Sequence, residues 1–319
     1  MCKLIMVPTE RPEAENAAIG MAIQLAQRFH AELRLVRVEV PPAVVDSAAL
    51  PPVLLITEET VREACIARRR RLEAFGAECA ELSKGTVTTA LEVGQVGPTL
   101  RDYAEASNVD LIVMSSHSRG GMQRITIGSV TDFLIRNTHV PVLVARETAA
   151  VPVPEVFSRI VVPLDGSSLA EEVLPKVAEL ASRFQSTVSL VHVLTPVNYS
   201  QERIMQPGFP WWDDDIASAQ AYLAGPAAFL TEKGVVAASE VILSDDVSAA
   251  ILDYSIRTRA DVIAMATRGV GGIGRLVFGT VSDEVTRKAP MSVLVFHPVH
   301  SPAREGWPEA FQFPVSGGV

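Results

Sequence analysis

The sequence predicts an α/β protein in which one parallel-sheet domain occurs twice in tandem. Three observations support this prediction. Short apolar runs alternate with helical patterns along the chain, which is typical of a parallel sheet with helices on both faces. The length of 319 residues suits about two domains. Over the last third of each half, the two halves align without gaps at a constant offset of 151 residues.

The aligned positions include polar residues and glycines as well as apolar ones. They comprise Asp102-Tyr103 with Asp253-Tyr254, Gly120-Gly121 with Gly271-Gly272, Arg124 with Arg275, Gly128 with Gly279, Asp132 with Asp283, Arg136 with Arg287, and Val142-Leu143-Val144 with Val293-Leu294-Val295. We therefore predict a tandem duplication. The predicted domains are residues 1–146 and 159–298, joined by a linker at 147–158 and followed by a Pro/Gly-rich tail at 299–319.

The first repeat is predicted to contain five strands separated by four helices. Each strand is a short apolar or alternating run bounded by turn residues, and each helix carries apolar residues three or four positions apart. The predicted strands span Leu4–Val7, Leu33–Val38, Thr86–Val93, Asp110–Met114 and Val140–Ala145. The predicted helices span Glu13–Phe29, Glu58–Leu82, Pro98–Ser107 and a segment that follows the Ser115–Gly128 loop and ends near Asn137.

The second repeat shows the same succession of elements. Its predicted strands are Ile160–Pro163, Val188–Val193, Val235–Leu243, Asp261–Met265 and Met291–Phe296. A helix is predicted from Ser168 to Phe184, because Ser168-x-x-Glu171 fits a capping box at a helix start. The other predicted helices are Asp215–Lys233, Val247–Arg259 and one that begins near Gly279.

Composition disfavours several classes of protein. A net charge of −9 argues against nucleic-acid binding, since such proteins need positive charge to face the phosphates. No run of apolar residues is long enough to predict a membrane span, and the first residues fit a strand better than a signal peptide. Cys2, Cys65 and Cys79 form no CxxC pair, which is typical of a reducing compartment. We therefore expect a cytoplasmic protein that binds neither nucleic acid nor membrane.

A glycine-rich loop in the second repeat is the strongest candidate for a binding site. The apolar run Asp261–Met265 leads into a loop with four glycines, and the loop closes on a helix start at Gly279. Glycine allows a ligand to approach the backbone, and the free N–H groups of a helix N-terminus attract anions. This order of elements predicts an anion site. From this loop alone, an equally good interpretation is a strand-to-helix connection in which the glycines serve only to turn the chain.

Two stretches together resemble the universal stress protein family. They are Pro163-Leu164-Asp165-Gly166-Ser167 and the pattern of Gly269, nine residues, then Gly279-Thr280-Val281-Ser282. The resemblance covers residues 3–146 and 159–297. It implies a flavodoxin-like (HUP-type) five-stranded, doubly wound parallel sheet in each repeat. For the nucleotide-binding branch it also implies ATP, alone or with Mg²⁺, held by a Gly-x-x-Gly-x9-Gly-Ser/Thr loop.

A physical argument places the ligand in the same region. In an open doubly wound sheet, ligands bind beyond the carboxyl ends of the strands where the strand order reverses. There Asp165 would accept hydrogen bonds from ribose or adenine, Val193 and Met265 would flank the base, and backbone N–H groups near Gly279 would hold phosphates. The predicted ATP site comprises Pro163, Leu164, Asp165, Val193, Met265, Ala266, Arg268, Gly269, Gly272, Arg275, Gly279, Thr280 and Val281. Two alternatives stay open: Asp165 caps the next helix through an Asx-turn, and the two arginines are surface cations.

The corresponding site in the first repeat is predicted to be weaker. It comprises Thr9, Glu10, Val38, Met114, Ser115, Ser118, Gly128 and Ser129. Ser115 and Ser118 replace both early loop glycines of the family pattern, whereas Ala266 replaces the first of them in the second repeat. A residue with a Cβ that is forced into a left-handed conformation costs about 1–2 kcal/mol. We therefore expect the second repeat to bind ATP and the first to bind it weakly or not at all.

The last strand of each repeat is predicted to join the two repeats. Val142-Leu143-Val144 and Val293-Leu294-Val295 would be hydrophobic sheet edges, and such edges favour pairing. The resemblance implies that tandem members pair their repeats through these strands, which gives a pseudo-twofold monomer. It leaves further association into a homodimer open.

The sequence does not predict catalysis. It has no HExxH motif, no Walker Gly-Lys-Ser/Thr and no nucleophile elbow, and His117 and His192 are interpreted as structural histidines. Asp213-Asp214-Asp215 could hold Mg²⁺ but is more simply a charge cluster at a helix start. A cytoplasmic stress-response protein that binds ATP is therefore favoured, with slow ATP hydrolysis left open. The alternatives are a nucleotide-free interaction protein of the same fold and, less favoured, an enzyme on a related nucleotide fold.

Overall fold

The protein folds into one ten-stranded sheet with helices on both faces. A computed structural model describes residues 2–10, 17–40, 58–115, 127–146, 157–195, 213–267 and 279–297. The strand order is β3-β2-β1-β4-β5-β10-β9-β6-β7-β8. Within each half the strands are parallel and follow the order of a doubly wound sheet, so the predicted fold class is confirmed.

The described elements of the first repeat follow the predicted succession. They are β1 (Leu4–Pro8), α1 (Ala17–Phe29), β2 (Glu32–Glu39), α2 (Glu58–Ser83), β3 (Val87–Val93), α3 (Val96–Ala106), β4 (Leu111–Ser115), α4 (Ser129–Asn137) and β5 (Val142–Ala145). The predicted bounds of the first domain and of the linker stay a prediction, because residues 147–156 lie outside the described part of the chain.

The second repeat contains the same elements and one further helix break. Its elements are β6 (Arg159–Pro163), α5 (Ser168–Glu171), α6 (Leu174–Phe184), β7 (Thr187–Leu194), α7 (Asp213–Glu232), β8 (Val236–Leu243), α8 (Val247–Arg257), β9 (Val262–Ala266), α9 (Thr280–Lys288) and β10 (Ser292–Phe296). The prediction of one helix from Ser168 to Phe184 was wrong. Pro175 at the start of α6 has no N–H to give to the carbonyl four residues earlier, so the helix is divided into α5 and α6.

The strands are buried on both faces, which explains their continuous apolar composition. Side chains of β1 alternate between the two sides of the sheet. Ile5 and Val7 belong to the core that includes α1, α2, α6 and α7, whereas Leu4 and Met6 belong to the core on the other face, which includes α3, α4, α8 and α9. Phe157 is fully buried in the first of these cores. The two halves therefore share their cores along the whole sheet.

The halves meet where β5 runs antiparallel to β10. Val142 is paired with Val295, Leu143 with Leu294 and Val144 with Val293. All these side chains are at most 5% exposed. The antiparallel contact relates the halves by a pseudo-twofold axis. The strands of the two halves therefore run in opposite directions, and their carboxyl ends point in opposite directions along the strand axis.

Four side chains form a ring of ion pairs between α4 and α9 close to this axis. Arg136 contacts Asp132 at 3.1 Å and Asp283 at 2.6 Å. Arg287 contacts Asp283 at 2.9 Å and Asp132 at 2.6 Å. The four side chains are 30–41% exposed, so water screens their interaction. The ring therefore orients the helices more than it stabilises the protein.

Replacing Arg287 with methionine removes two of these four contacts and keeps an apolar stem of similar length. We expect the free energy of unfolding to fall by about 0.5–1 kcal/mol at low salt. Most of this loss should disappear near 1 M salt, where the Debye length is about 3 Å. Urea denaturation of the wild type and Arg287→Met measures both values. Lys288→Met is the control, because the ion pair of Lys288 with Glu284 lies within α9. A salt-independent loss in Arg287→Met would contradict an ionic contribution.

Candidate functional site

The strand order of the second repeat reverses between β6 and β9. β7 and β8 lie on one side of β6 in the sheet, whereas β9 and β10 lie on its other side. The β6–β9 contact is short, with two residue pairs, Ile160 with Val262 and Val161 with Ile263. The loops that leave the carboxyl ends of β6 and β9 therefore diverge, and they open a crevice of the kind that binds ligands in doubly wound sheets.

A cavity of about 830 Å³ occupies this crevice. Its wall includes every residue of the predicted second-repeat site that the structure describes: Pro163, Leu164, Asp165, Val193, Met265, Ala266, Gly279, Thr280 and Val281. The other four predicted residues, Arg268, Gly269, Gly272 and Arg275, lie outside the described part of the chain. The structure thus brings together residues from four separate stretches of sequence: the start of the β6 loop, the end of β7, the end of β9 and the start of α9.

The loop after β6 forms the first side of the cavity. Leu164 is buried and its N–H donates to the Val191 carbonyl at 2.8 Å, so the loop begins as a continuation of the strand. The Oδ1 atom of Asp165 accepts hydrogen bonds from the Ser167 N–H at 2.9 Å and the Ser167 hydroxyl at 2.6 Å. The Ser167 hydroxyl oxygen in turn accepts from the N–H of Ala170 at 3.2 Å and caps α5. Asp165 therefore makes the Asx-turn that the sequence left open, and it also borders the cavity.

Gly166 is the one position of this loop where the backbone needs glycine. Its φ is +85°, in the left-handed region, although a Cβ there would meet no atom within 4 Å. An L-residue would therefore be strained by its backbone and not by crowding. Gly166 holds the turn that places Asp165 at the cavity edge.

The N-terminus of α9 forms the opposite side. Gly279 is its N-cap and provides no side chain to satisfy the first N–H groups. The first bond within the helix runs from the Asp283 N–H to the Gly279 carbonyl at 2.8 Å, which leaves the N–H groups of Thr280, Val281 and Ser282 without an intrahelical acceptor. The Ser282 hydroxyl donates to the Ala266 carbonyl at 3.2 Å and fixes the helix start to the end of β9. This end of the cavity can accept an anion.

The expected left-handed strain at two loop positions was wrong. Ala266 and Ser115 are the last residues of β9 and β4, and both are paired with neighbouring strands in extended backbone. An alanine or a serine fits such a position without strain. Ser118 lies outside the described residues. Gly279 also has a negative φ of −66°, so its glycine gives access to the backbone and does not serve to turn it.

Histidine 192 is a cavity residue that the sequence did not identify. It lies near the end of β7, and its Nδ1 atom is 2.8 Å from the Leu164 carbonyl. A carbonyl only accepts, so Nδ1 carries the proton and donates. The imidazole packs edge-on against Tyr222, with ring centroids 5.7 Å apart. Through this hydrogen bond His192 anchors the loop that contains Asp165.

Helix α7 supplies a wall that was also not predicted. Asp215, Ser218, Ala219 and Tyr222 line the cavity from one helix face. Burial raises the pKa of the Tyr222 hydroxyl above its usual range, and the carboxylates of Glu171 and Asp165 add to the shift. The phenol therefore stays neutral. The spacing of these four residues fits one side of a helix, but nothing in the sequence shows that this side faces a crevice.

The charges of the cavity wall are acidic. Among the lining residues that the structure describes there are two carboxylates, Asp165 and Asp215, and neither a lysine nor an arginine. Positive potential for an anion comes from the dipole and N–H groups of α9. Within the same part of the chain, no cluster of three His, Cys, Asp or Glu side chains is placed to hold a metal ion.

The first repeat repeats part of this geometry. Its N-cap Gly128 has φ −65° and ψ 151°, nearly the values of Gly279, and its side-chain capping is also absent. Thr9 is buried and donates its N–H to the Val36 carbonyl at 2.9 Å, as Leu164 does to Val191. Val38, Met114, Ser115, Glu10 and Ser129 lie at the same strand and helix ends as their second-repeat counterparts. The helix N-terminus is therefore conserved in shape between the repeats.

The two crevices differ at the end of the second strand. The register of β1 with β2 and of β6 with β7 makes Arg37 the structural counterpart of His192. Arg37 donates from Nη1 to the Glu10 carbonyl at 2.7 Å and from Nε to Glu39 at 2.6 Å. Arg68 also contacts Glu39, at 2.8 Å. The first repeat therefore has a charged network near the end of β2, where the second repeat has an imidazole that donates through Nδ1.

None of the helices in the described part of the chain is long and apolar enough to cross a bilayer. The three cysteines are free thiols. Burial raises the pKa of Cys2 to about 12 and that of Cys79 to about 11. These two thiols are therefore poor nucleophiles at neutral pH.

Comparison with known proteins gives one consistent result. The model of the universal stress protein family matches residues 1–146 and again residues 157–297. A universal stress protein of Mycolicibacterium smegmatis is 25% identical over 307 residues, which is 92% of this chain and 97% of that protein. A universal stress protein of Methanocaldococcus jannaschii is 30% identical over 148 residues, which is 46% of this chain and 82% of that protein.

Solved structures agree on the fold. The crystal structure of a universal stress protein from Archaeoglobus fulgidus superimposes with a TM-score of 0.70 over 93% of this chain and 98% of that chain, at 17% identity. A putative universal stress protein from Pseudomonas aeruginosa superimposes with a TM-score of 0.59, over 93% of this chain and 94% of that chain, at 16% identity. At these identities the similarity concerns the architecture alone.

Proposed function

Since this chain belongs to the universal stress protein family, we propose that it is a cytoplasmic stress-response protein that binds ATP, alone or with Mg²⁺, in the cavity of its second repeat. The observation that carries this proposal is the convergence of the β6 loop, the end of β7 and the uncapped N-terminus of α9 on one space of about 830 Å³. Cofactor pockets are typically about 300–1,000 Å³, so a nucleotide fits this volume.

The lining suggests how the nucleotide would lie. Val193, Met265 and Ile251 offer apolar surface for the flat faces of a purine. Asp165 also lines the cavity and can accept hydrogen bonds from ribose hydroxyls or an exocyclic amine, which are donors. The phosphates would then reach the N–H groups of Thr280 and Val281, with the Thr280 hydroxyl as a further donor. Arg268 and Arg275 remain proposed phosphate partners.

Nucleotide binding in the first repeat is proposed to be weak. Glu10 is longer than Asp165 by one methylene, and its carbonyl is already held by Arg37. The Arg37–Glu39–Arg68 network would have to rearrange before a base could enter beside Val38. The reason for the weakness is therefore this network and not strain in the glycine loop.

Nothing in the proposal requires catalysis. The protein would act as a sensor or regulator whose state depends on nucleotide occupancy, with the two repeats held as one unit by the β5–β10 pairing. Slow hydrolysis of a bound nucleotide is compatible with this role.

A nucleotide-free interaction protein of the same fold is the second candidate. One observation favours it: the described cavity wall carries Asp165 and Asp215 but no lysine or arginine, which opposes a triphosphate. Mass spectrometry of the gently purified protein distinguishes the two functions. Co-purified ATP, ADP or AMP supports the first candidate, and its complete absence supports the second.

Titration of the whole chain with ATP and Mg²⁺ tests the proposed asymmetry between the repeats. We expect calorimetry to give one site per chain, because the Arg37–Glu39–Arg68 network stands near the end of β2, where the second repeat has His192 at the cavity wall. Two equal sites would show that the Arg37 network does not exclude the nucleotide. No heat and no displacement of a fluorescent ATP analogue would reject ATP as the ligand.

A further inference from the structure

A polar groove lies between the C-terminal parts of α1 and α6, on the face of the sheet opposite to α4 and α9. Each repeat contributes three of its lining residues: Gln27, Arg28 and His30 from the first, and Glu179, Ser182 and Arg183 from the second. Among the described residues, none lines both this groove and the cavity of the second repeat. The groove is therefore a separate feature at the junction of the repeats.

Two arginines cross this junction reciprocally. Arg28, in the last turn of α1, lies over the ring of Phe184, with its Cζ atom 5.6 Å from the ring centroid. Arg183, in the last turn of α6, lies over the ring of Phe29 at 5.8 Å. Both distances are within the range of about 6 Å for cation–π contacts. A guanidinium over a ring keeps the N–H groups at its edge for other partners. The stacking therefore holds both cations at the groove with donors to spare.

Neither guanidinium forms a hydrogen bond or an ion pair with any residue in the described part of the chain. Arg257 provides a comparison, because it also lies in the last turn of its helix and over a ring, that of Tyr254 at 5.5 Å. Arg257, however, contacts the carboxylate of Glu240 at 3.3 Å. The helix dipole explains an arginine in a last turn. It does not explain why two of them reach across to the other repeat and meet at one groove without a counter-ion.

The other lining residues add donors and one carboxylate. His30 and Ser182 are exposed, and an imidazole N–H and a hydroxyl can both donate. The amide of Gln27 is engaged, since its Nε2 atom donates to the Leu82 carbonyl at 3.0 Å. Glu179 is half-buried and is the described lining group that opposes an anion. The described lining thus has two arginines against one carboxylate, in a protein whose net charge is −9.

We propose that this groove binds a small oxyanion with more than one phosphoryl group, such as inorganic pyrophosphate, through Arg28 of the first repeat and Arg183 of the second. The planar fork of a guanidinium matches the oxygens of a phosphoryl group. Pyrophosphate has two equivalent ends, as does a pair of arginines related by the pseudo-twofold axis. The ligand would add a contact between the repeats to the β5–β10 pairing. The site does not use the cavity, so it stands independently of ATP binding.

Titration calorimetry of the whole chain with pyrophosphate tests the site. Mg²⁺ is left out, because it would compete with the arginines for the same oxygens. We expect Arg28→Gln and Arg183→Gln each to weaken binding about 10- to 100-fold, the loss of one or two charged hydrogen bonds. Arg257→Gln is the matched control and should bind as the wild type does. A wild type that does not bind pyrophosphate, or equal weakening in all three variants, would overturn the proposal.

Two further titrations separate this groove from the cavity and from a single-arginine site. Gly279→Val changes the start of α9 at the cavity and leaves the groove intact, so it should keep its pyrophosphate affinity whether or not ATP binds the protein. Binding that is lost in Gly279→Val and kept in the arginine variants would assign pyrophosphate to the cavity and reject the groove. Inorganic phosphate cannot engage both arginines with separate phosphoryl groups and should bind at least about 10-fold more weakly. Equal affinity for the two anions would contradict the two-arginine arrangement.

Discussion

Replacing Gly279 with valine is expected to weaken ATP binding about 10- to 100-fold while the protein stays folded. Gly279 is the N-cap of α9, and its backbone leads into the N–H groups proposed to hold the phosphates. A branched side chain there keeps phosphate oxygens away from those donors. Hydrogen bonds to charged groups contribute about 1.5–3 kcal/mol each, so the loss of one of them accounts for this range.

The first repeat provides a matched control for this variant. Gly128 caps α4 with φ −65° and ψ 151°, against −66° and 148° for Gly279. A Cβ on Gly128 would meet its nearest atom, the Thr131 hydroxyl oxygen, at 3.9 Å, which is ordinary contact. Both glycines have negative φ, so valine is compatible with both backbones and the small loss of N-cap preference is common to the two variants.

The comparison of the two variants locates the ligand. We expect calorimetry to show weakened binding in Gly279→Val and unchanged binding in Gly128→Val. The reverse result would place the nucleotide in the first repeat. Equal weakening in both would indicate that the effect comes from helix stability and not from access to the phosphates, and thermal unfolding of the two variants would show it.

Much of the architecture followed from the repeat in the sequence. The constant offset of 151 residues in the last third of each half identified β4, α4 and β5 with β9, α9 and β10, because no insertion interrupts those segments. The apolar strands fixed the sheet class, since only strands buried on both faces are continuously apolar. The break between α5 and α6 was missed because a proline near a helix start is compatible with both one helix and two.

The parts of the site that the sequence missed depend on long-range geometry. In the β1–β2 and β6–β7 pairs the equivalent positions are 155 residues apart, as Pro8 with Pro163 and Val36 with Val191 show. Arg37 and His192 are therefore equivalent in space although the offset of 151 does not align them. The face of α7 that contains Tyr222 has the spacing of any helix face, and only the folded structure shows that it borders the crevice.

The loop glycines show that a motif can lie at a cavity although the physical reason first given for it was wrong. The pattern around Gly279 pointed to the cavity, but the cost assigned to Ala266 and Ser115 assumed a left-handed backbone. Both residues instead end a strand. The repeats also differ in the side chain near the end of the second strand, which is Arg37 or His192, and the sequence contained this difference without indicating its role.

A steep dependence of stability on pH is expected from His297, which directly follows β10 and is 6% exposed. The Thr267 hydroxyl donates to the Phe296 carbonyl at 3.3 Å, so its oxygen can accept from Nδ1 of His297 at 2.9 Å. The Nε2 atom is buried and has no hydrogen-bond partner. Burial, with a smaller contribution from His139, lowers the pKa of His297 to about 4.

The sign of the effect follows from the two protonation states. An unfolded histidine has a pKa near 6.5, so between about pH 6.5 and pH 4 the unfolded chain binds a proton that the folded chain refuses. The stability from this site is therefore complete above about pH 6.5 and is lost as the pH falls toward 4, by roughly 3 kcal/mol in total. Replacing His297 with glutamine removes the titrating group and keeps a side chain that can hydrogen-bond Thr267.

Urea denaturation of the wild type and His297→Gln at pH 7 and pH 4.5 measures this contribution. Other groups that titrate in this interval act in both proteins, so the difference between the two pH dependences isolates His297. We expect the wild type to lose about 2–3 kcal/mol more than the variant between the two pH values. Since β10 joins the repeats through β5, protonation of this buried ring would act at the centre of the sheet, and equal losses in the two proteins would mean that the ring becomes solvated before it is protonated.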